Sequence, residues 1–206
     1  MNTNPETPYD AIADGLAENG FACFDHFLSE REVSDILNSD EFQPGLLQFR
    51  RAGTGRDKVI LEGVRGDYIK WIDPSFVSPA LDVYLQRIRN LIQFLNRALF
   101  LSLKDFEVHT TVYPVGTFYK RHLDQFVSTD HRKLSIICYL NPDWGPDDGG
   151  QLRIYRETGS LDFLPVAGRL MCFRSDLLEH EVLPATRERY SITGWILDQL
   201  ASSGNL

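Results

Sequence analysis

The chain has 206 residues, of which 43% are hydrophobic and 12% aromatic, so it can bury one sizeable core and is expected to form a single domain over residues 1–206. Its net charge of −8 argues against a surface that follows nucleic-acid phosphates. The three cysteines are odd in number and far apart, which argues against a disulfide framework and against a Cys-ligated zinc site.

The N-terminal sequence and the length of the apolar runs predict the cellular location of the protein. "MNTNPETPYD" has neither a basic nor an apolar signal region, and no apolar run approaches the ~20 residues of a membrane span. We therefore expect a soluble protein of the reducing cytoplasm, with no membrane and no nucleic acid among its partners.

Helix patterns occupy much of the first half, residues 1–103. Each pattern begins with a residue type that caps helices, and apolar residues then recur at three-to-four spacing. The predicted caps are Thr7, Ser29 (which forms a capping-box pattern with Glu32) and Ser78. The predicted helices run from Pro8 to Gly20, over 30–38, and from Pro79 to about residue 98, with a short strand over 21–27 after the first.

The segment from Leu46 to Ile72 has a different pattern. Short apolar stretches alternate with the glycine-containing sequences "AGTGRD" and "EGVRGD", which are typical of turns between strands. This segment is therefore predicted to form a mobile hairpin, and we expect it to lie over the mouth of an active site.

Strand patterns dominate residues 104–198. Short segments rich in Val, Ile, Tyr, Phe and Thr are separated by Gly, Pro, Asn and Asp, as in a sandwich or barrel. With the helices gathered in the first half, these segments predict a mainly β, α+β architecture: a β-core supported by helices on one face. The predicted strands are 106–113, 118–123, 134–140, 151–155, 169–173, 180–183 and 190–197.

One predicted strand holds a candidate metal pair, His122 and Asp124, in "FYKRHLDQF". Residues two apart on a strand point to the same side, so the two donor groups can share one ion. A second histidine, His180, begins a later predicted strand. Two histidines and one carboxylate are the ligand set of non-haem Fe(II) oxygenases, which keep open coordination positions. His26, His109 and His131 have no such partners and are expected to be structural or on the surface.

Arg189 opens the last predicted strand and suits a carboxylate ligand, because its planar guanidinium can donate two parallel hydrogen bonds. Fe(II), the Asp124 carboxylate, a doubly charged 2-oxoacid and Arg189 carry charges of +2, −1, −2 and +1, which sum to zero. A buried site tolerates a neutral cluster better than a charged one. Alternation places Ser191, Thr193 and Trp195 on the same face as Arg189.

Five separated motifs occur in a fixed order: "RGDYIKWI", "YPVGTFYKRHLDQF", "ICYLNPDW", "GGQLRIY" and "HEVLPATRERYSITGW". Together they resemble the prolyl hydroxylase domain family of Fe(II)- and 2-oxoglutarate-dependent oxygenases, over roughly residues 60–197. The resemblance implies a double-stranded β-helix, or jelly roll. It implies that the activity is hydroxylation of a prolyl residue in a protein substrate, with release of succinate and CO2.

The resemblance also implies roles for individual residues, as expectations. The iron ligands are His122, Asp124 and His180, and the 2-oxoglutarate contacts are Arg189, Tyr139, Thr193 and Tyr113. Apolar pocket walls are Leu152 and Trp195. The substrate contacts are Arg65, Asp67, Arg132 and Trp195, with Asp67 paired to Arg132 when a peptide is bound.

The implied cofactors and cosubstrates are Fe(II), 2-oxoglutarate and O2, with ascorbate as reductant, and analogy with bacterial members makes elongation factor Tu the candidate protein partner. Two alternatives stay open on the sequence alone. One is a hydroxylase of a free amino acid or small molecule, and the other is a catalytically silent jelly roll that binds iron or 2-oxoglutarate.

Overall fold

The computed structural model describes residues 8–43, 49–53, 63–125 and 129–201. Within these ranges the chain forms three α-helices and eleven strands. The helices are α1 (Pro8–Asn19), α2 (Glu30–Leu37) and α3 (Pro79–Ala98). The strands are β1 (Phe21–Phe24), β2 (Arg50–Arg51), β3 (Tyr68–Trp71), β4 (Asp105–Tyr113), β5 (Tyr119–His122), β6 (Arg132–Tyr139), β7 (Leu152–Arg156), β8 (Gly159–Phe163), β9 (Leu170–Arg174), β10 (His180–Val182) and β11 (Arg189–Leu197).

The helices begin where the capping patterns predict. The Ser29 side chain accepts a hydrogen bond from the Glu32 backbone N–H at 3.3 Å, and the Glu32 carboxylate accepts one from the Ser29 backbone N–H at 2.8 Å. Ser78 caps α3 in the same way, by accepting from the Leu81 backbone N–H at 3.2 Å. The predicted cap at Thr7 lies outside the described residues.

The strands form two antiparallel sheets. The larger sheet has the order β1-β9-β6-β11-β4-β3-β2, and the smaller has the order β5-β10-β7-β8. One apolar layer lies between the helices and the larger sheet, and it contains residues such as Leu85 and Leu91 of α3 and Ile192 of β11. A second layer lies between the two sheets, where Tyr139 and Phe173 pack with Ile154. Two facing sheets with helices on one outer face confirm the predicted architecture.

The long strand β11 shows how the sequence separates these two layers. Ile192 and Ile196 belong to the layer beneath the helices, whereas the alternate residues from Arg189 to Trp195 face the smaller sheet. Apolar and polar residues therefore alternate because one side of the strand contacts the core and the other side lines the space between the sheets.

Two details of the strands differ from the sequence-based expectations. The strand predicted over 118–123 ends at His122, so Asp124 lies in the bend that follows β5. The strand β8, with the sequence GSLDF, was not predicted, because glycine, serine and aspartate disfavour strands. It forms because it pairs with β7 along its whole length, from Leu152 opposite Phe163 to Arg156 opposite Gly159.

The predicted hairpin over 46–72 is described only in part. β2 and β3 pair antiparallel, with Arg50 opposite Ile69 and Arg51 opposite Tyr68. Residues 46–48 and 54–62 of the hairpin lie outside the described residues, and its mobility stays a prediction. Among the described residues, no helix combines the length and the apolar character that crossing a bilayer requires.

Candidate metal centre

The two predicted histidine ligands face each other on neighbouring strands. His122 of β5 and His180 of β10 are register partners, and their ring centroids are 4.3 Å apart. Asp124 lies beside both: its Oδ1 is 3.4 Å from Nε2 of His122, and its Oδ2 is 3.7 Å from Nε2 of His180. One ligand atom from each of the three residues lies within 4.8 Å of the others. The structure thus brings together the three residues that the sequence singled out.

Backbone carbonyls fix which ring nitrogen of each histidine faces the cluster. Nδ1 of His122 is 2.7 Å from the Lys120 carbonyl oxygen, and Nδ1 of His180 is 3.1 Å from the Leu178 carbonyl oxygen. A carbonyl oxygen only accepts, so each Nδ1 carries the proton and donates it. Each Nε2 therefore keeps a free lone pair directed at the Asp124 side, as metal-ligating histidines require.

The carboxylate is held from the larger sheet. Ser135 of β6 donates its hydroxyl hydrogen to Oδ2 of Asp124 at 2.6 Å, and the Ser175 hydroxyl lies 2.9 Å from that of Ser135. Burial alone would raise the pKa of the Asp124 carboxyl. The nearby His180 and His122 and the Ser135 hydroxyl outweigh it and lower that pKa below its usual range. The carboxyl is therefore ionised, as a metal ligand must be.

His180 is the more deeply buried of the two histidines. Its side chain is 4% exposed, and the edge of its ring contacts Phe173 at a centroid distance of 4.7 Å. Burial lowers the pKa of His180 to about 4. The ring is therefore neutral at physiological pH, which keeps its lone pair available to a metal.

The chemistry of this donor set fits iron. Two imidazole nitrogens and one carboxylate on one side of an ion leave coordination positions for small molecules, which distinguishes an open catalytic site from a closed structural one. Among the described residues, His122, Asp124 and His180 are the one group of three or more His, Cys, Asp or Glu residues arranged to hold a metal ion. The three cysteines are free.

Arg189 lies between the two sheets, beside Tyr113 and Tyr139 of the layer that they enclose. Its side chain is among the most deeply buried, with 1% exposure, and its guanidinium carbon is 4.9 Å from the Tyr113 ring centroid and 5.1 Å from that of Tyr139. Nε and Nη1 of Arg189 and the hydroxyl of Tyr139 are buried without a hydrogen-bond partner among the described residues. Buried donors of this kind are costly unless paired, so this group fits an anionic oxygen ligand such as a carboxylate.

The neighbouring residues of β11 line the same space. The hydroxyls of Ser191 and Thr193 are 3.1 Å apart, and both side chains follow Arg189 on the face that the alternation predicted. Leu152, expected as a pocket wall, is fully buried in the layer between the sheets. Burial raises the pKa of the Tyr139 hydroxyl to about 12, so it stays protonated and can donate a hydrogen bond.

A cluster of aromatic side chains lies near the C-terminal end of β11, around Trp195. The Arg132 guanidinium carbon lies 3.6 Å from the Trp195 ring centroid, and Arg132 is ion-paired to Glu107 at 2.6 Å. The Trp71 ring completes the cluster, at 6.3 Å from Trp195. Nε1 of Trp195 is buried without a hydrogen-bond partner among the described residues.

His109, which was expected to be structural or on the surface, lies buried in this cluster. It is 3% exposed, its ring is 5.0 Å from that of Trp71, and its Nδ1 is 2.9 Å from the Thr111 hydroxyl. Strand alternation in "FEVHTTVY" places His109 on the same face of β4 as Glu107 and Tyr113. Sequence reasoning missed Ser135 and Ser175, because only the order of strands in the sheet brings them to Asp124.

Arg65 and Asp67 of the "RGD" sequence pair with each other. Nε and Nη2 of Arg65 donate to the two oxygens of Asp67 at 2.7 and 2.5 Å, and Nη1 donates to the Gly53 carbonyl at 3.2 Å. In this structure Asp67 is bonded to Arg65, and Arg132 is bonded to Glu107. The pairing of Asp67 with Arg132 in a peptide-bound state stays a prediction.

Residues 108–197 match the 2OG-Fe(II) oxygenase superfamily. The chain is 32% identical to the hypoxia-inducible factor prolyl hydroxylase of Caenorhabditis elegans, across 91% of this chain but only 28% of that longer protein. It is also 32% identical to the human prolyl hydroxylase EGLN3, across 91% of this chain and 82% of the relative.

Two solved structures are similar over nearly the whole chain. The crystal structure of a Pseudomonas putida prolyl-4-hydroxylase has a TM-score of 0.83 and 41% identity, covering 93% of this chain and all of that one. A Trichoplax adhaerens prolyl hydroxylase in complex with a hypoxia inducible factor peptide fragment has a TM-score of 0.78 and 29% identity, covering 92% of this chain and 89% of that one. The chain therefore belongs to the prolyl hydroxylase family of 2OG-Fe(II) oxygenases, a family of dioxygenases with a jelly-roll fold.

Proposed function

We propose that this chain hydroxylates a prolyl residue of a protein substrate, with 2-oxoglutarate and O2 as cosubstrates and succinate and CO2 as further products. The observation that carries the proposal is the placement of two groups in one layer between the sheets. One is the cluster of His122, Asp124 and His180, and the other is the buried, unpaired guanidinium of Arg189. The first suits Fe(II), and the second suits a carboxylate.

His122, Asp124 and His180 would hold the iron. Bound Fe(II) supplies the activation of O2 that organic side chains cannot perform. The protein's part is to hold both imidazoles with Nε2 facing the ion, and to keep Asp124 ionised through Ser135. These contacts fix the ligands before the metal binds, so that little reorganisation accompanies binding.

Arg189 would bind the distal carboxylate of 2-oxoglutarate. Two of its nitrogens lack partners, and the Tyr139 hydroxyl adjoins it with a further unused donor. Tyr113 covers the guanidinium with its ring, and Thr193 adds a hydroxyl further along the strand. Unpaired guanidinium and phenol donors at the end of a buried space suit a carboxylate, which selects a dicarboxylic 2-oxoacid over a monocarboxylic one.

A peptide substrate would enter beside the aromatic cluster. Trp195 and Arg132 lie on the pocket side of the larger sheet, and Arg65 and Asp67 lie beside β5. The similarity to a prolyl hydroxylase captured with a peptide fragment supports a protein substrate. Within that class we propose elongation factor Tu as the candidate partner and ascorbate as the reductant that maintains Fe(II).

We also propose a cytoplasmic location. It is supported by the free state of Cys23, Cys138 and Cys172, the last two of which are fully buried. Burial raises the pKa of the Cys172 thiol to about 12, so it stays protonated and unreactive.

The proposal is tested by mass spectrometry of proteomes from cells with and without this gene. The expected result is a prolyl residue that carries one additional oxygen atom only when the gene is present, with elongation factor Tu inspected first. Re-expression of the wild type should restore the modification, whereas Asp124→Ala should not. If purified protein converts 2-oxoglutarate to succinate but no prolyl residue differs between the proteomes, the protein-substrate proposal is wrong and a small-molecule hydroxylase is favoured.

A further inference from the structure

The two histidine ligands are supported unequally by the fold. β10 lies between β5 and β7, so His180 has a strand on either side, whereas β5 is the last strand of its sheet. On its outer side β5 contacts residues 64–66 instead. The Lys120 backbone N–H donates to the Val64 carbonyl at 2.9 Å, and the Gly66 N–H donates to the Phe118 carbonyl at 3.0 Å. These residues take the place of a neighbouring strand along the first residues of β5, which lead to His122.

The glycine of "RGD" permits this close contact. A Cβ atom at Gly66 would lie 2.7 Å from the Cβ of Thr117, closer than such atoms approach. A side chain there would force residues 64–66 away from β5. The close contact therefore depends on glycine at position 66. It places Arg65 opposite Tyr119 as a β-bridge partner.

The side chains of Arg65, Tyr119 and His122 stack on one another in a column. The Arg65 guanidinium carbon lies 4.3 Å from the centroid of the Tyr119 ring, on one face. The His122 ring stacks on Tyr119, with centroids 3.5 Å apart and planes inclined by 18°. We call this column the Arg65–Tyr119–His122 stack. Arg65 is itself fixed by its two bonds to Asp67, which is 2% exposed.

His122 depends on such a contact more than His180 does. Its side chain is 12% exposed, against 4% for His180, and its hydrogen bond from Nδ1 to the Lys120 carbonyl, like that of His180 to Leu178, does not by itself fix the plane of the ring. A flat aromatic face parallel to the imidazole restricts that motion. The geometry points to Tyr119, Arg65 and Asp67 as positioning residues that fix the plane of His122 and thereby set the metal affinity of the site. This inference rests on the proposed function in taking His122 as an iron ligand.

Asp67 is counted among the positioning residues because its carboxylate balances the charge of Arg65. An unpaired guanidinium this close to the cluster would repel a divalent cation. The carboxylate of Asp67 neutralises Arg65, so the column supplies a rigid planar contact without adding net charge near the metal. "RGD" therefore has a role in the metal site that differs from the substrate contact expected of it.

The test is titration of the metal-free protein with Co(II), which needs neither O2 nor a known substrate. Affinity is measured by calorimetry, and the ligand field by the Co(II) absorption spectrum. Tyr119→Leu removes the flat ring and should weaken Co(II) binding by roughly 10- to 100-fold, with an altered spectrum. Tyr119→Phe keeps the ring and should retain wild-type affinity. Arg65→Lys keeps the charge beside Asp67 but loses the planar group, and should fall between the two.

Arg121→Met is the matched control. Arg121 immediately precedes His122 on β5, and its guanidinium lies 4.0 Å from the Tyr155 ring centroid, where it is ion-paired to Glu179 in an exposed position. This pair resembles Arg65 and Tyr119 but does not contact a candidate ligand, so the variant should bind Co(II) like the wild type. Thermal unfolding of each metal-free variant separates loss of positioning from loss of folding.

Several results would overturn the inference. If Tyr119→Leu and Arg65→Lys bind Co(II) as tightly as the wild type, or if Tyr119→Phe is weakened as much as Tyr119→Leu, the ring contact does not position His122. If Arg121→Met weakened Co(II) binding as much as Tyr119→Leu, the ring contact would likewise not be what positions His122. Failure of the wild type to bind Co(II) would instead remove the metal assignment and the proposed function with it.

Discussion

Arg189 and Tyr139 direct unpaired polar atoms into one buried space. The guanidinium carbon lies 5.1 Å from the tyrosine ring centroid, and Nε, Nη1 and the tyrosine hydroxyl have no hydrogen-bond partner among the described residues. A buried cation without an anion destabilises a fold. The relationship therefore implies that a carboxylate completes this site.

Replacing Arg189 with Lys should weaken 2-oxoglutarate binding. The lysine keeps the charge but loses the two parallel donors, and each charge-assisted hydrogen bond contributes roughly 1.5–3 kcal/mol. We expect the dissociation constant for 2-oxoglutarate to rise by about 10- to 100-fold, measured by calorimetry on the metal-loaded protein without O2.

Arg187→Lys is the control for this variant. Arg187 precedes β11, and its guanidinium donates to the carbonyls of Asp143 and Pro142 on the exposed surface. Its replacement should leave 2-oxoglutarate affinity unchanged. A normal affinity in Arg189→Lys, or an equal loss in Arg187→Lys, would contradict the assignment.

Ser135→Ala should weaken metal binding without unfolding the protein. Its hydroxyl fixes Oδ2 of Asp124 at 2.6 Å, and contacts of this kind commonly change metal affinity by roughly 10- to 100-fold. Ser175→Ala, which is one hydrogen bond further from the carboxylate, should have a smaller effect. Co(II) titration measures both, and a larger loss in Ser175→Ala than in Ser135→Ala would show that the carboxylate is not held in this way.

His109 should make stability depend on pH. Burial lowers the pKa of His109 to about 4 from an ordinary value of 6.5, with further lowering from Arg65. The unfolded chain therefore binds a proton between these pH values and the folded chain does not. The contribution to stability is present above about pH 6.5 and is lost as the pH falls towards 4.

His109→Met removes this titrating group. One pKa unit corresponds to about 1.4 kcal/mol. Lowering the pH over this interval should therefore reduce the free energy of unfolding of the variant by roughly 3 kcal/mol less than it reduces that of the wild type. Urea denaturation of the metal-free proteins at several pH values measures the difference. Parallel pH profiles for the two proteins would contradict the buried, neutral state of His109, which faces Arg65, Arg132 and Asp67.

Local sequence patterns predicted those features that local physics determines. The Ser29 capping box, the strand alternation that places Arg189 and Thr193 on one face, and the two-residue spacing of His122 and Asp124 all agree with the structure. The pair stays together even though β5 ends at His122, because the bend carries Asp124 back towards the cluster.

Features that depend on strand order were not predictable in this way. Ser135 contacts Asp124 because β6 lies in the larger sheet opposite β5, an arrangement that no local pattern specifies. Arg65 lies 54 positions before Tyr119 in the sequence and reaches it only because residues 64–66 run along the edge of β5. β8 has a sequence that disfavours strands and forms through pairing with β7.

Oxygen transfer to a prolyl residue at the His122, Asp124 and His180 cluster is tested most directly with isotopically heavy O2. The labelled gas is supplied to the purified protein with Fe(II), 2-oxoglutarate and a lysate of cells that lack the gene, and the products are identified by mass spectrometry. We expect one heavy oxygen atom in a prolyl residue and the other in succinate, with both signals absent for Asp124→Ala. Heavy succinate without a labelled prolyl residue, or equal prolyl labelling by Asp124→Ala, would contradict the account.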